Sequence, residues 1–420
     1  MVMTRPILLI TASPPGGIGV GQLYMRSVLQ HAQVRFAVAA LLGRHEPTYH
    51  PSADFGILVA HTLRRRFEPA FRPWQNPLGN LAAAMAVQAR LQPHVRGLRA
   101  FLAGLAHEHG IGALLVVLEC PTTMLLAAPL ADLLGLPLVT LVWDTPEHVL
   151  GRLGYAGIAQ APILRGFDQA LRRSQSVAVM SEAMRGRFER NHGARCVIVH
   201  QPIEPAWCRA SSELETDRAE WVIGFAGSVT AWVEMDLLLN ALDGIRWQIQ
   251  GRPIVLRVFG LRFVCEASVP RRIDYRGYLP EIGDVVHGLS TCDVLFLPQP
   301  FGSDAVSFTR YSFPTKLTTY LAARCPILLF APDYSALTIF FKDNELPLVC
   351  SQPEESALIK SLRSLVENQE LRQTALQRIE AVRETAFSVA TCRQRLDELF
   401  VPTLATPQMP LLGRRGARVE

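Results

Sequence analysis

Short apolar runs alternate with longer segments of helical periodicity along most of the chain. In the first half, a strand-like run opens into a glycine-rich turn and a helical segment, and the same alternation then repeats several times. The strand-like runs are "PILLIT", "VRFAVAALL", "ALLVVLE", "PLVTLVWD", "SVAVM" and "CVIVHQP". Continuous apolar runs separated by helices are typical of parallel sheets covered on both faces. The pattern therefore predicts a doubly wound α/β fold.

The pattern is interrupted once and then starts again. Residues 203–220, "IEPAWCRASSELETDRAE", are polar and without periodicity, which indicates a linker. A second series follows, with strands predicted at "WVIGFAGS", "IVLRVFG", "IDYRGYL", "DVLFLPQP" and "ILLF", and one long helix from about Glu354. We therefore expect domains over 1–202 and 221–386, a helix over 387–400 and a flexible tail over 401–420.

The composition and charge of the chain exclude several classes of protein. Of 420 residues, 49% are hydrophobic and 19% charged, enough for sizeable cores, and the net charge of +5 includes no basic block typical of a nucleic-acid arm. The eight cysteines lie singly, which predicts a reducing compartment, no disulfide framework and no structural metal. Because no run approaches the ~18 apolar residues of a spanning helix, we expect a cytoplasmic protein, at most associated with a membrane surface.

Lys316 occupies an unfavourable position in the stretch "RYSFPTKLTTYLAARCPILLF". Pro314 fits the first position of a helix, which places Lys316 in the first turn. There the positive end of the helix dipole disfavours a cation by up to ~1 kcal/mol. Either the side chain bends into water, or an anion is held by Lys316, Thr315 and the free N–H groups of the turn.

Two glycine turns offer places for close approach of a ligand. "SPPGGIGVG" contains Gly16 and Gly17, and "GFAGSV" contains Gly227 and Ser228, whose N–H groups would suit a phosphate. The first turn does not match the dinucleotide fingerprint, because Gln22 stands where its last glycine is required. A nicotinamide enzyme is therefore not expected. The alternative is that both turns are purely structural.

Acidic residues follow two neighbouring predicted strands. Asp144, Glu147 and His148 come after "PLVTLVW", and Glu119 ends the strand before it. Functional groups in open α/β sheets gather beyond the carboxyl ends of strands. Asp144 is thus a catalytic candidate, with Glu119 or His148 beside it; the alternative is that Asp144 caps the next helix.

The segment 61–74, "HTLRRRFEPAFRPW", mixes arginines with aromatic residues. Such a segment suits peripheral contact with an anionic membrane. Such a run is more often a solvated helix face, and both interpretations stay open.

The chain resembles the family 4 glycosyltransferases. The specific part of the resemblance is "RYSFPTKLTTYLAARCPIL", which is similar to the donor-binding motif of that family. Looser matches are "PPGGIGVG" for the acceptor-side loop, "SVAVMSEAMRGRF" for the unit before the hinge, "VIVHQPIEP" for the hinge, and "IDYRGYLPEIGDVVHGLSTCDVLFLP" for the unit leading to the donor site.

The resemblance implies the GT-B fold, in which two Rossmann-like domains face each other across a cleft and the C-terminal helix crosses back to the first domain. It implies retaining transfer of a sugar from a nucleotide diphosphate to a glycan, a lipid-linked glycan or a small molecule, with no cofactor and no metal. The residues implied for donor binding are Gly16, Gly17, Gly227, Ser228, Arg262, Thr315, Lys316 and Thr319, and those for catalysis are Asp144, Glu119 and His148.

Three features depart from the family pattern. Tyr311 and Thr319 stand where the family has two glutamates, "GSVTAWVEMD" lacks the usual basic pair, and Trp143 replaces a strand-end histidine. These departures leave open a catalytically inactive relative that binds a nucleotide sugar or a partner protein. A sugar-nucleotide epimerase of the same fold is a third alternative.

Overall fold

The computed structural model describes residues 5–17, 19–43, 45–51, 56–65, 77–208, 219–263, 267 and 269–405. The chain forms two compact units. Unit 1 comprises Met1–Val199 with Arg393–Glu420, and unit 2 comprises His200–Cys392.

Unit 1 is built on a parallel seven-stranded sheet in the order β3-β2-β1-β4-β5-β6-β7. Its strands are β1 (Ile7–Thr11), β2 (Phe36–Leu42), β3 (Ile57–Arg64), β4 (Ala113–Val117), β5 (Leu138–Val142), β6 (Ser174–Val179) and β7 (Cys196–Ile198). Its helices are α1 (Val20–Leu29), α2 (Pro77–Glu108), α3 (Pro121–Leu134), α4 (Pro146–Arg152), α5 (Gln160–Arg173) and α6 (Glu182–His192), with a 3-10 turn at Gly157–Ala159. Every residue of β1, β2, β4 and β5 is buried, as expected for strands covered on both faces.

Unit 2 repeats the plan in the order β11-β10-β8-β12-β13-β14, with the short β9 antiparallel to β10. Its strands are β8 (Trp221–Ala226), β9 (Gln248–Ile249), β10 (Arg252–Phe259), β11 (Ile273–Gly277), β12 (Val294–Pro298), β13 (Ile327–Phe330) and β14 (Val349–Cys350). Its helices are α7 (Trp232–Gly244), α8 (Ile282–Ser290), α9 (Val306–Tyr311), α10 (Lys316–Ala322), α11 (Ala336–Asp343), α12 (Glu355–Glu367) and α13 (Gln369–Thr385), with 3-10 turns at Pro205–Trp207 and Ser303–Ala305. Phe225, Phe296 and Phe330 are among the fully buried side chains of its core.

The last helix, α14 (Val389–Ala405), begins in unit 2 and continues into unit 1. Within unit 1 the ring of Phe400 meets Phe36 edge-on, with centroids 6.2 Å apart. Leu399 and Thr403 on the same helix are also buried. Unit 1 is therefore completed by residues that follow unit 2 in the chain.

Two expectations about elements were wrong. The long helix predicted from Glu354 is divided into α12 and α13, because Asn368 ends α12 and its side chain caps α13 by accepting from the Leu371 N–H at 2.9 Å. Residues 61–64 are not a helix face but part of the edge strand β3. Arg64 donates from Nη1 to the carbonyls of Gly43 and Glu46 at 2.8 and 2.7 Å, and residues 66–74 lie outside the described residues.

In each sheet the first strand lies near the centre, and later strands are added on both sides of it. The connections therefore change direction between β1 and β4 and between β8 and β12, where such sheets bind ligands beyond their carboxyl ends. In unit 2 the β8–β12 pairing covers only Val294↔Ile223 and Leu295↔Gly224. Beyond that point the buried hydroxyl of Tyr320 joins the strands, accepting from the Ala226 N–H at 3.0 Å and donating to the Phe296 carbonyl at 3.2 Å.

We expect Tyr320→Phe to lower the free energy of unfolding by about 1–3 kcal/mol, because it leaves a buried N–H and a buried carbonyl unpaired. Urea denaturation measures the effect. The matched control is Tyr278→Phe, at a side chain that is 60% exposed, where the change should not exceed ~0.5 kcal/mol. Equal losses in the two variants would contradict a stabilising bridge at Tyr320.

Candidate functional site

Glu119 bridges the point between β1 and β4 where the direction of the unit 1 sheet changes. Its Oε1 accepts from the Thr11 hydroxyl at 2.6 Å and from the N–H groups of Ala12 and Ser13 at 2.6 and 3.0 Å. Burial raises the pKa of Glu119, and these donors oppose that shift. Glu119, predicted as a catalytic candidate, thus holds the start of the β1–α1 loop.

Further contacts fix the described residues of that loop. Gly16 has φ +109°, and a Cβ on Gly17 would lie 1.9 Å from Oε1 of Gln22. The same Gln22 atom accepts from the Gly19 N–H at 3.1 Å, and Tyr49 donates its hydroxyl to the Pro15 carbonyl at 2.7 Å. The positive φ of Gly16 requires glycine at that position, whereas a Cβ on Gly17 would meet only the end of the flexible Gln22 side chain. Both glycines lie in unit 1, and the other predicted donor residues lie in unit 2.

Asp144 follows β5 but does not cap α4. The N-cap residue is Thr145, and Pro146 is the first helical residue, so the capping interpretation is wrong. Within the described residues, the Asp144 carboxylate accepts no hydrogen bond. Burial raises the pKa of Asp144 from 3.8 to about 6, and the charge of Arg152 partly offsets the rise.

Two further polar groups on α4 accompany Asp144. Burial and the charge of Arg152 lower the pKa of His148, which favours the neutral imidazole. Glu147 is ion-paired with Arg187 at 2.5 Å. Of the two carboxylates around this strand end, Asp144 is the one without an ion-pair partner in the described part of the chain.

In unit 2, Lys316 turns onto the glycine turn after β8 rather than extending into solvent. Lys316 is the first residue of α10, and Thr315 is its N-cap. The helix therefore begins two positions later than predicted, and Pro314 precedes it. The Lys316 Nζ donates to the Ser228 carbonyl at 3.1 Å and lies 4.0 Å from the centre of the Phe225 ring. Both contacts are favourable for an ammonium group.

The turn that receives Lys316 is built from two glycines. Gly227 has φ +83° and donates its N–H to the Phe259 carbonyl at 2.8 Å. A Cβ on Gly260 would lie 2.9 Å from the Gly227 carbonyl, so neither position suits a larger residue. Gly227 and Ser228 remain exposed at the surface.

Lys316 has no ion-pair partner among the described residues. Although part of the residue remains accessible to solvent, burial lowers its pKa from 10.5 to about 7. A partly desolvated cation without an anion is unfavourable in the unliganded protein. A bound anion would supply the missing charge.

The remaining predicted donor residues have weaker structural support. Thr315 and Thr319 are partly exposed, one helical turn apart on α10. Arg262 is exposed, and its guanidinium lies 5.7 Å from the centre of the Tyr275 ring.

Two buried polar residues near the end of β12 were not identified from the sequence. The buried Glu234 accepts from the Phe301 N–H at 2.8 Å and so fixes the loop after β12. Gln299 directly follows β12, is 3% exposed, and its Oε1 has no partner within the described ranges. A local sequence pattern contains no signal for either role, since their surroundings come from distant parts of the chain.

The described residues contain neither a candidate metal site nor a candidate membrane-spanning helix. No group of three or more His, Cys, Asp or Glu side chains there is arranged to hold a metal ion. None of the helices in those ranges is both long enough and apolar enough to span a membrane.

No protein-family model and no curated protein matches the sequence. Solved structures do match the fold. HepE of Anabaena, in complex with UDP, aligns with TM-score 0.60 and 15% identity over 95% of this chain and 100% of HepE. WaaG, a glycosyltransferase involved in lipopolysaccharide biosynthesis, aligns with TM-score 0.56 and 12% identity over 94% and 99%. Sucrose-phosphate synthase from Thermosynechococcus elongatus aligns with TM-score 0.59 and 14% identity over 96% and 99%.

These alignments confirm the predicted fold of two Rossmann-like domains, the GT-B fold. At these low sequence identities, the alignments show similarity of the fold alone. Membership of glycosyltransferase family 4 stays a prediction.

We expect the Asp144 carboxylate to make folding stability depend on pH. Because its pKa is higher in the folded state, the unfolded state loses this proton first as pH rises, and stability is lost between about pH 4 and pH 6. Asp144→Asn should therefore stabilise the protein above pH 6 by about 1–3 kcal/mol. Denaturant titrations at pH 4.5 and pH 7.5 measure the difference.

The matched control is Asp236→Asn, at an exposed carboxylate on α7, which should change stability by no more than ~0.5 kcal/mol at either pH. A constant difference between wild type and Asp144→Asn across this range would contradict the raised pKa.

Proposed function

We propose that the protein is a glycosyltransferase that moves a sugar from a nucleoside diphosphate to an acceptor, with retention of configuration. The observation that carries this proposal is the Lys316 ammonium, held on the Gly227–Ser228 turn where the unit 2 sheet changes direction. The fold shared with HepE, which was solved with UDP, supports a UDP-sugar as the first donor to test.

The charge at this turn suits a diphosphate. Lys316 is the cation. Because the Gly227 N–H already donates to the Phe259 carbonyl, the neutral donor proposed beside it is the N–H of the exposed Ser228. α10 is only seven residues long, so its dipole adds less than the lysine does. As the glycosidic bond breaks, negative charge grows on the leaving diphosphate, and a fixed cation stabilises that charge more in the transition state than in the ground state.

On the acceptor side we assign Asp144 the role of orienting or deprotonating the attacking hydroxyl. A carboxylate with a pKa of about 6 is ionised at neutral pH and is a stronger base than an ordinary aspartate. Glu119 serves as a positioning residue, because its Oε1 already accepts three hydrogen bonds from the β1–α1 loop.

A nucleotide-sugar-binding protein without transferase activity is the second candidate. Thr319 stands in place of a family glutamate, and Arg262 lies over Tyr275. Thermal-shift measurements with UDP-, GDP- and ADP-sugars, followed by assays of nucleoside diphosphate release, separate the two candidates. Stabilisation without release on a panel of acceptors would favour the binding protein, and no stabilisation by any donor would contradict both.

We expect Lys316→Met to weaken binding of the preferred nucleoside diphosphate by about 1.5–3 kcal/mol, roughly 10- to 150-fold, because a charge-assisted contact is lost. The unliganded variant should be at least as stable as the wild type, since a partly desolvated cation is replaced by an apolar side chain that can lie against Phe225. Calorimetry gives the affinity, and thermal unfolding gives the stability.

The pH profile distinguishes this role from a general weakening. Binding of an anion raises the pKa of Lys316 from about 7, so wild-type affinity should fall as pH rises above 7, and this fall should be absent in Lys316→Met. The control is Lys342→Met, at an exposed ion pair with Asp333 that contributes little. Equal nucleotide affinities of wild type and Lys316→Met would contradict the diphosphate contact.

We expect Asp144→Asn to lower kcat at least 100-fold, the lower range for removing a general base. The affinity for the nucleoside diphosphate should change less than twofold. Steady-state kinetics and calorimetry on the same preparations test both statements. Unchanged turnover would assign the acceptor-side role to another residue.

A further inference from the structure

We propose that the exposed face of α2 docks on an anionic lipid bilayer. We define this α2 face by Leu78, Leu81, Met85, Arg96 and Arg99. It combines apolar side chains at one end of the helix with arginines further along.

Helical periodicity puts these five residues on one side of α2. In an ideal helix eighteen residues make five full turns, about 27 Å, so Arg96 shares the angular position of Leu78 and Arg99 that of Leu81. Pro93 lies inside α2 between the apolar and the basic residues. Met85 lies two turns beyond Leu78. Val87, Leu98 and Leu105, about half a turn around the helix from Leu78, are buried in unit 1.

The apolar end of the α2 face is unusually exposed. The exposed fractions of Leu78, Leu81 and Met85 are 77%, 42% and 60%. A single exposed leucine is ordinary, but three large apolar side chains on consecutive turns form a patch.

A neighbouring 3-10 turn is held against α2. Asn80 accepts from the Ala156 N–H at 3.0 Å, which fixes the segment after α4 to the first turns of α2. The 3-10 turn Gly157–Ala159 packs against α2 and carries Ile158, which is 63% exposed. Ile158 is thus a further exposed apolar side chain on a segment packed against α2.

The charges on α2 select the kind of partner. Its 32 residues contain no carboxylate before Glu108, which lies about 120° around the helix from Leu78 at 100° per residue. Arg96 and Arg99 are exposed and form no ion pair within the described ranges. The face is therefore apolar and basic, complementary to a partner that is apolar and acidic.

A bilayer offers both properties on one extended surface. Leucine and methionine side chains can enter the boundary between headgroups and acyl chains, while arginines nearby meet anionic headgroups. The basic and apolar parts of the α2 face are spread along the helix rather than gathered around a groove, which suits a continuous surface better than a peptide.

Vesicle flotation with the full-length protein tests the proposal without any nucleotide. At low salt the wild type should float with vesicles of phosphatidylcholine and phosphatidylglycerol, and bind at least tenfold less to phosphatidylcholine alone. Leu78→Ser/Leu81→Ser/Met85→Ser should lower binding to the anionic vesicles at least tenfold. Arg96→Glu/Arg99→Glu should lower it at least tenfold as well, and should remove its dependence on salt.

The control for net charge is Lys360→Glu/Arg363→Glu on α12, which has the same spacing and the same charge change at exposed positions of unit 2. It should bind vesicles as the wild type does, and all variants should keep the wild-type unfolding temperature because the changed side chains are exposed. Failure of the wild type to float, or an equal loss in the α12 variant, would overturn the proposal. A dimer in sedimentation that the serine triple variant dissociates would overturn it too, by assigning the face to a second copy of the chain.

Discussion

The position of the candidate chemistry depends on one constraint of parallel sheets. Each sheet starts at an inner strand and is extended on both sides. The chain connections to the strands on either side therefore run in opposite directions, and a gap opens beyond the end of the first strand. Backbone groups at such a gap lack ladder partners, and side chains must satisfy them. The two units meet this requirement with different chemistry.

In unit 1 a carboxylate fills the gap. Glu119 accepts from the hydroxyl and N–H groups at the end of β1, and its burial is tolerated because several donors converge on one oxygen. In unit 2 the uncharged Tyr320 joins the strands, which leaves Lys316 directed at the turn with its charge unbalanced. The acidic gap organises a loop, whereas the basic gap is where we propose that an anion binds.

The sequence predicted most of this architecture because the signals are local. Apolar runs identified the inner strands, and Pro314, Lys316 and Leu317 placed a helix within two residues of its start. The prediction from sequence failed where the interacting residues are far apart in the chain. Glu119 bonds to residues more than 100 positions earlier in the chain, so its role as a loop anchor had no local signal. The edge strand β3 was missed because its half-buried residues include polar side chains typical of a surface helix.

The path of α14 has a consequence for how the protein is made. Phe400 packs on Phe36, and Leu404 approaches Gly112, so the core of unit 1 includes side chains translated after all of unit 2. Domains normally fold in order as they leave the ribosome. Here unit 2 can finish first, whereas the core of unit 1 lacks these side chains until α14 emerges.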